Sequence, residues 1–136
     1  MASGRTELVL RGFEALARGD VDELAAQASD DFEFVNPDYA LEPGIRHGPA
    51  GGRVALQNLS DAFDDLRWDM EQLEERGDRV IVTGTWAGRG KASGVRFAGE
   101  PFAVVVTFRD DEVVRLEWFN SADEALTSAG AKADGP

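Results

Sequence analysis

The sequence predicts an α+β domain, a curved antiparallel sheet with three helices of the N-terminal half packed on its concave face. Apolar residues recur at helical spacing through the first half of the chain and at a spacing of two from Arg67 onward. The resulting order is helix, helix, strand, helix and then an antiparallel meander, which segregates the helices to one sheet face. Size agrees: 136 residues, 43% hydrophobic and 29% charged, make one globular unit able to bury a continuous core without disulfides. The domain is expected over 1–129, with a small polar tail over 130–136.

Val9, Phe13 and Leu16 fall at i, i+4 and i+7 from about Thr6 to Arg18, and Gly19 stands where a left-handed cap ends a helix. Asp20 and Glu23 then have capping-box spacing, and Val21, Leu24, Ala25 and Ala28 give a short second helix one apolar stripe. Phe32 to Val35 is aromatic and β-branched, a first strand closed by Asn36-Pro37. Tyr39 to Gly48 carries Pro43, Gly44 and Gly48 without a period and is expected as a loop. Ala55, Leu59, Ala62, Phe63 and Leu66 mark a third helix. Trp68 and Met70 then alternate with Asp69 and Glu71, and Arg76-Gly77-Asp78 turns the chain into the strand Arg79 to Trp86. The Gly-rich segment Gly88 to Gly94 links to a long strand through Phe102, Val104, Val106 and Phe108, and Asp110-Asp111 turns that strand into Val113 to Asn120. Ser121 to Ala129 is predicted as a last helical segment.

Lys plus Arg is 14 against 26 for Asp plus Glu, a formal charge of −12, which repels nucleic-acid phosphates and anionic membranes. No nucleic-acid or membrane partner is expected. Without cysteine there is no disulfide framework, thiolate nucleophile or Cys-based zinc site. One histidine and no ligand-spaced motif argue against a metal, and no cofactor is expected. Met1 to Glu7 lacks the apolar core of a secretory signal, and the longest aliphatic run, Ala103 to Val106, is too short to span a bilayer. The expected location is cytoplasmic.

Several segments together carry a resemblance: Phe13-Glu-Ala-Leu-Ala-Arg-Gly-Asp20, Asp31-Phe-Glu-Phe-Val-Asn-Pro37, Arg46-His-Gly-Pro-Ala-Gly51, Gly77-Asp-Arg-Val-Ile-Val82, Gly88-Arg-Gly-Lys-Ala-Ser-Gly94 and Val114-Arg-Leu-Glu-Trp-Phe119 with Ala125-Leu126. In order and spacing the chain resembles the SnoaL-like branch of the nuclear transport factor 2-like superfamily. The resemblance implies a cone-shaped α+β barrel, often homodimeric. It leaves function open, because members include polyketide cyclases, ketosteroid isomerase, limonene epoxide hydrolase, scytalone dehydratase and proteins without known chemistry. The position of the isomerase's carboxylate base looks to be Asn36, whose amide accepts no proton at neutral pH. Its oxyanion-hole positions look to be Gly12 or Phe13 and Val106, which supply no donor side chain. Epoxide-hydrolase chemistry needs inward-pointing Asp-Arg-Asp, and strand alternation turns the nearest match, Arg115 with Glu117, away from Leu116 and Trp118.

Strand parity points Trp68, Met70, Val82, Trp86, Phe102, Val104, Val106, Leu116, Trp118 and Asn120 inward. They are expected either to line a pocket for a flat apolar molecule or to fill the interior themselves. Gly84, beside two tryptophans, is expected to leave space. His47 is the only side chain whose ordinary pKa lies near neutrality, hence the candidate general acid or base. The opposing reading makes it an exposed residue ahead of a Pro-started helix. Asp38 or Glu42 would orient it, Tyr39 and Asn120 would polarise a substrate oxygen, and Asn36 would join this cluster at the cavity mouth as a ligand-binding residue. Arg115, Glu117 and Phe119 face outward, where an aromatic among charges suits a homodimer contact through the outer sheet face. Two functions follow: a pocket protein for a small apolar or aromatic metabolite, carrying out cofactor-free cyclisation, isomerisation, dehydration or hydrolysis, or a non-catalytic ligand-binding or dimerisation module.

Overall fold

A computed structural model describes residues 4–36 and 44–119. Helix α1, Gly4–Arg18, buries Val9, Gly12, Phe13, Ala15 and Leu16 along one stripe. It ends at Gly19, whose φ of +74° is the left-handed conformation glycine adopts without strain; the Gly19 and Asp20 N–H groups donate to Leu16 and Ala15 carbonyls. Asp20 Oδ1 then accepts the Glu23 N–H at 3.2 Å and caps α2, Val21–Ala26. The expected α2 stripe overshoots. Val113 N–H donates to Gln27 O and Ala28 pairs with Val113, so the sheet ladder claims these residues and β1 runs Ala28–Asn36.

The region read as a loop contains a four-residue strand, β2, Gly44–His47, antiparallel to β1 with Glu33 opposite His47. A strand this short shows no alternation to read. Helix α3, Gly48–Ala62, has a proline in its first turn and stops before Phe63 and Leu66, which the periodicity had placed within it. Both belong to β3, Phe63–Arg76, because pairing of Phe63 with Gly90 extends the hairpin upstream. The strands β4, Arg79–Gly90, β5, Arg96–Arg109, and β6, Glu112–Phe119, complete the meander.

One six-stranded sheet results, in the order β2-β1-β6-β5-β4-β3. All neighbours are antiparallel except β1 and β6, a departure from the wholly antiparallel expectation. The α3 crossover and the meander return β6 beside β1 in the same direction. The architecture is α+β, a curved sheet with the helices on its concave side. Val80, Val82, Phe102, Val104, Val106, Phe108 and Val113 project inward to meet Val9, Phe13, Leu16, Val21 and Leu56. A smaller cluster of Ile81, Ala103 and Val105, joined by Phe119, occupies the other face. Among the described residues no helix is long and apolar enough to cross a membrane.

Helix α3 sits close against β1 because of Gly52. A Cβ there would lie 2.5 Å from Phe32 Cε2, nearer than carbon atoms approach without displacement. This contact fixes the separation between helix and sheet, and with it the depth of the interior on that side.

Candidate functional site

A hollow of about 70 Å³, counted as the space open to the centre of a water molecule, remains between α1, α3 and the β1–β6 side of the concave face. Leu8, Val9, Gly12, Phe13 and Leu16 of α1 form one wall and Pro49, Gly52, Arg53 and Leu56 of α3 another. Gln27, Ala28 and Phe32 close the β1 side, and Val106, Val113, Leu116 and Trp118 form the floor. Gly12 contributes to the hollow by lacking a side chain on the buried stripe of α1. The lining is apolar apart from Gln27 and Arg53, which fits the usual anatomy of small-molecule sites, a greasy cavity with few polar groups.

Arg53 stands at the rim, 47% exposed, and ion-pairs with Asp22 of α2, which is 76% exposed. The Gln27 backbone carbonyl is taken by Val113 N–H, and the residue is half-buried at the lining.

Of the inward set, Val106, Leu116 and Trp118 line the hollow. Trp68, Met70, Trp86, Phe102, Val104 and Val82 instead fill the β3–β5 half of the interior. Trp68 and Trp86 stack with ring centroids 5.0 Å apart and planes 5° apart, and Phe102 and Phe13 meet Trp68 at 5.2 and 5.6 Å. Trp118 also touches Trp68, at 5.5 Å, so one wall of the hollow is the edge of this aromatic cluster. The Trp68 indole N–H is buried there without an acceptor among the described residues. Gly84 opens no space for a ligand: a Cβ at that position would overlap the Asp69 carbonyl oxygen, so its bare backbone is occupied by the close approach of β3.

His47 lies elsewhere. Phe32 and Phe34 of β1 enter the core, so their neighbour Glu33 faces outward, and His47 pairs with Glu33 on that outer face. The His47 side chain is 74% exposed, and its Nδ1 is 3.8 Å from Glu33 Oε2. Glu33 accepts from Arg115 at 2.9 Å, and Arg115 lies 3.2 Å from Glu117, confirming that Arg115 and Glu117 point away from the hollow. Arg89 and Lys91 of the Gly-rich segment are engaged by Asp64 at 3.0 and 3.9 Å. Asn36 ends β1 beyond the hollow's described lining, and Asp38, Tyr39, Glu42 and Asn120 lie outside the described residues, as does the segment Ser121 to Ala129.

Among the described residues Asp31 has the one strongly displaced carboxyl. Two hydrogen bonds from Arg109, at 2.9 and 3.0 Å, and one from the Ser29 hydroxyl at 2.7 Å hold it well below the usual carboxylate range. The same pairing raises Arg109. This clip joins β1 to the end of β5 and serves the fold. Among the described residues no cluster of three His, Cys, Asp or Glu is placed to hold a metal ion.

Sequence reasoning did not assign to the site the α1 wall from Leu8 to Leu16, the α3 wall from Pro49 to Leu56, or Gln27, Ala28, Phe32 and Val113. The signal was present in part: Pro49, Gly52, Arg53 and Leu56 recur at i, i+3, i+4 and i+7, one face of a helix.

Helices on the concave side of a curved sheet, enclosing an apolar hollow, define a cone-shaped α+β protein. The chain belongs to the SnoaL-like domain family, whose model matches residues 9–116, within the nuclear transport factor 2-like fold. Solved structures agree. An NTF2-like protein of unknown function from Burkholderia pseudomallei superposes with a TM-score of 0.77 at 22% identity, covering 92% of this chain and 96% of that one. TerC, co-crystallised with polyporic acid, gives 0.75 at 24% identity, covering 96% and 98%. A protein described as a candidate SnoaL-like polyketide cyclase from Jannaschia gives 0.77 at 18%, covering 98% and 93%. No curated protein matches the sequence.

Proposed function

We propose that the protein is a SnoaL-like pocket protein that binds a small apolar or aromatic metabolite in the hollow between α1, α3 and the β1–β6 floor. The observation that carries this reading is the lining itself, aliphatic and aromatic but for Gln27 and Arg53. The structure of TerC with polyporic acid lends support, as a protein of the same fold crystallised with a small molecule.

Binding is favoured over acid–base turnover at the described wall, which contains no carboxylate, imidazole or phenol. His47 is exposed on the opposite sheet face, and a general base works only within hydrogen-bond reach of its proton. The cofactor-free cyclase, isomerase, dehydratase or hydrolase reading therefore depends on Asp38, Tyr39 and Glu42. Homodimerisation through the outer face is a further part of the proposal, supported by Ile45, 46% exposed, pairing beside Val35 next to Glu117. Ile81, Ala103 and Val105 add little to that contact, being 0–1% exposed already in the single chain.

Tryptophan emission on titration with naphthalene or octan-1-ol tests the pocket, since Trp118 forms part of its wall. Saturable change in the native protein, lost in Gly12→Met, is expected. A linear response, or one that Gly12→Met leaves intact, contradicts the reading.

A further inference from the structure

We propose, resting on the pocket reading above, that the hollow selects an apolar carboxylate whose hydrocarbon body lies inside and whose single anionic head is received by Arg53 and Gln27. The two polar lining residues are the grounds. Both bring N–H donors, and among the described residues that line the hollow no acidic side chain accompanies them. A ligand with several polar groups would leave the others unpaired against Leu56, Leu116 and Trp118, and burying an unpaired polar group is costly.

Arg53 is held only loosely in the absence of such a head. Its partner Asp22 is 76% exposed, and Arg53 itself 47%, conditions in which an ion pair contributes little. A guanidinium has five donors in a planar fork, so exchanging Asp22 for a ligand carboxylate, or sharing with it, leaves the arginine satisfied. The Gln27 side chain, the other polar group of the lining, supplies a second N–H donor. The preference is local, because the net charge of −12 disfavours anions on average.

Three ligands with the same eight-carbon body, octanoate, octan-1-ol and octylamine, separate this inference from the pocket reading on which it depends. Each is titrated at pH 7 against the native protein, Arg53→Gln, Asp22→Asn and the distant control Asp69→Asn, by tryptophan emission and calorimetry. Octanoate is expected to bind about tenfold tighter than octan-1-ol, the size of one charge-assisted hydrogen bond at a half-exposed site. Arg53→Gln should erase that preference by lowering octanoate affinity about tenfold, and Asp22→Asn, but not Asp69→Asn, should raise octanoate affinity. Equal binding of acid and alcohol, tighter binding of the amine, or a preference for octanoate that survives Arg53→Gln overturns the carboxylate head and leaves the pocket standing. Failure of all three ligands to bind overturns both.

Discussion

Gly52→Ala separates a hollow interior from a filled one. Its Cβ would lie 2.5 Å from Phe32 Cε2 and 3.1 Å from Cδ2, so the ring must move. In a close-packed core such overpacking costs about 1–3 kcal/mol. Replacing a glycine inside the fifteen-residue α3 returns about 1 kcal/mol of helix propensity. Phe32 borders the hollow, and a ring with space to enter meets the low end of the overpacking range, so the net destabilisation should be about 0–1 kcal/mol. The displaced ring would occupy ligand space; closing about 60 Å² of contact removes about 1.5 kcal/mol, or tenfold in affinity. Gly84→Ala is the control, because its Cβ would overlap the Asp69 backbone oxygen, which cannot rotate away, and a cost of about 3 kcal/mol or more is expected. Urea midpoints at matched m-values give the stabilities, and octan-1-ol titration gives the affinities. If Gly52→Ala costs as much as Gly84→Ala, or leaves affinity unchanged, Phe32 has no hollow to enter.

Three further outcomes are expected. Leu56→Ala should cost about 2–3 kcal/mol, the low end for a buried leucine because the site already opens on a void, and should tighten binding of ligands bulkier than octan-1-ol; weaker binding of bulky ligands would count against Leu56 as a wall. His47→Ala should change stability by less than about 0.5 kcal/mol and leave ligand affinity untouched, whereas lost binding would place the imidazole at the pocket. Asp31 has a folded pKa depressed by Arg109 and then Ser29, so its contribution is present above the unfolded carboxylate value of about 3.9 and is lost as pH falls below it. The urea midpoint of Asp31→Asn should therefore lie below that of the native protein at pH 6 and converge on it in acid; a gap constant with pH would remove the linkage.

The fold was largely legible because its signals are local. Val9, Phe13 and Leu16, the Gly19 cap, and the alternation from Trp68 to Trp118 each record one face of one element. Boundaries failed where tertiary pairing overrode a local period. Phe63 and Leu66 continue the α3 stripe yet pair into β3, and Ala28 continues the α2 stripe yet joins β6. The β2 edge is too short to show a period, and the parallel β1–β6 pairing joins residues such as Glu33 and Arg115, too far apart in the chain for any window of sequence to contain. At the site, parity identified the inward residues but could not say which half of the interior they fill. That was decided by the stacking of Trp68 on Trp86. The face of His47 was hidden for a related reason: it is set by pairing with Glu33, and the strand that sets it was read as a loop.

Xenon, which enters apolar voids without needing a polar partner, locates the space directly. In a crystal held under xenon pressure, an anomalous-scattering peak is expected in van der Waals contact with Phe13, Leu56 and Leu116. No peak there, or one only among Trp68, Trp86 and Phe102, would mean that the interior has no ligand-sized opening on the β1–β6 side.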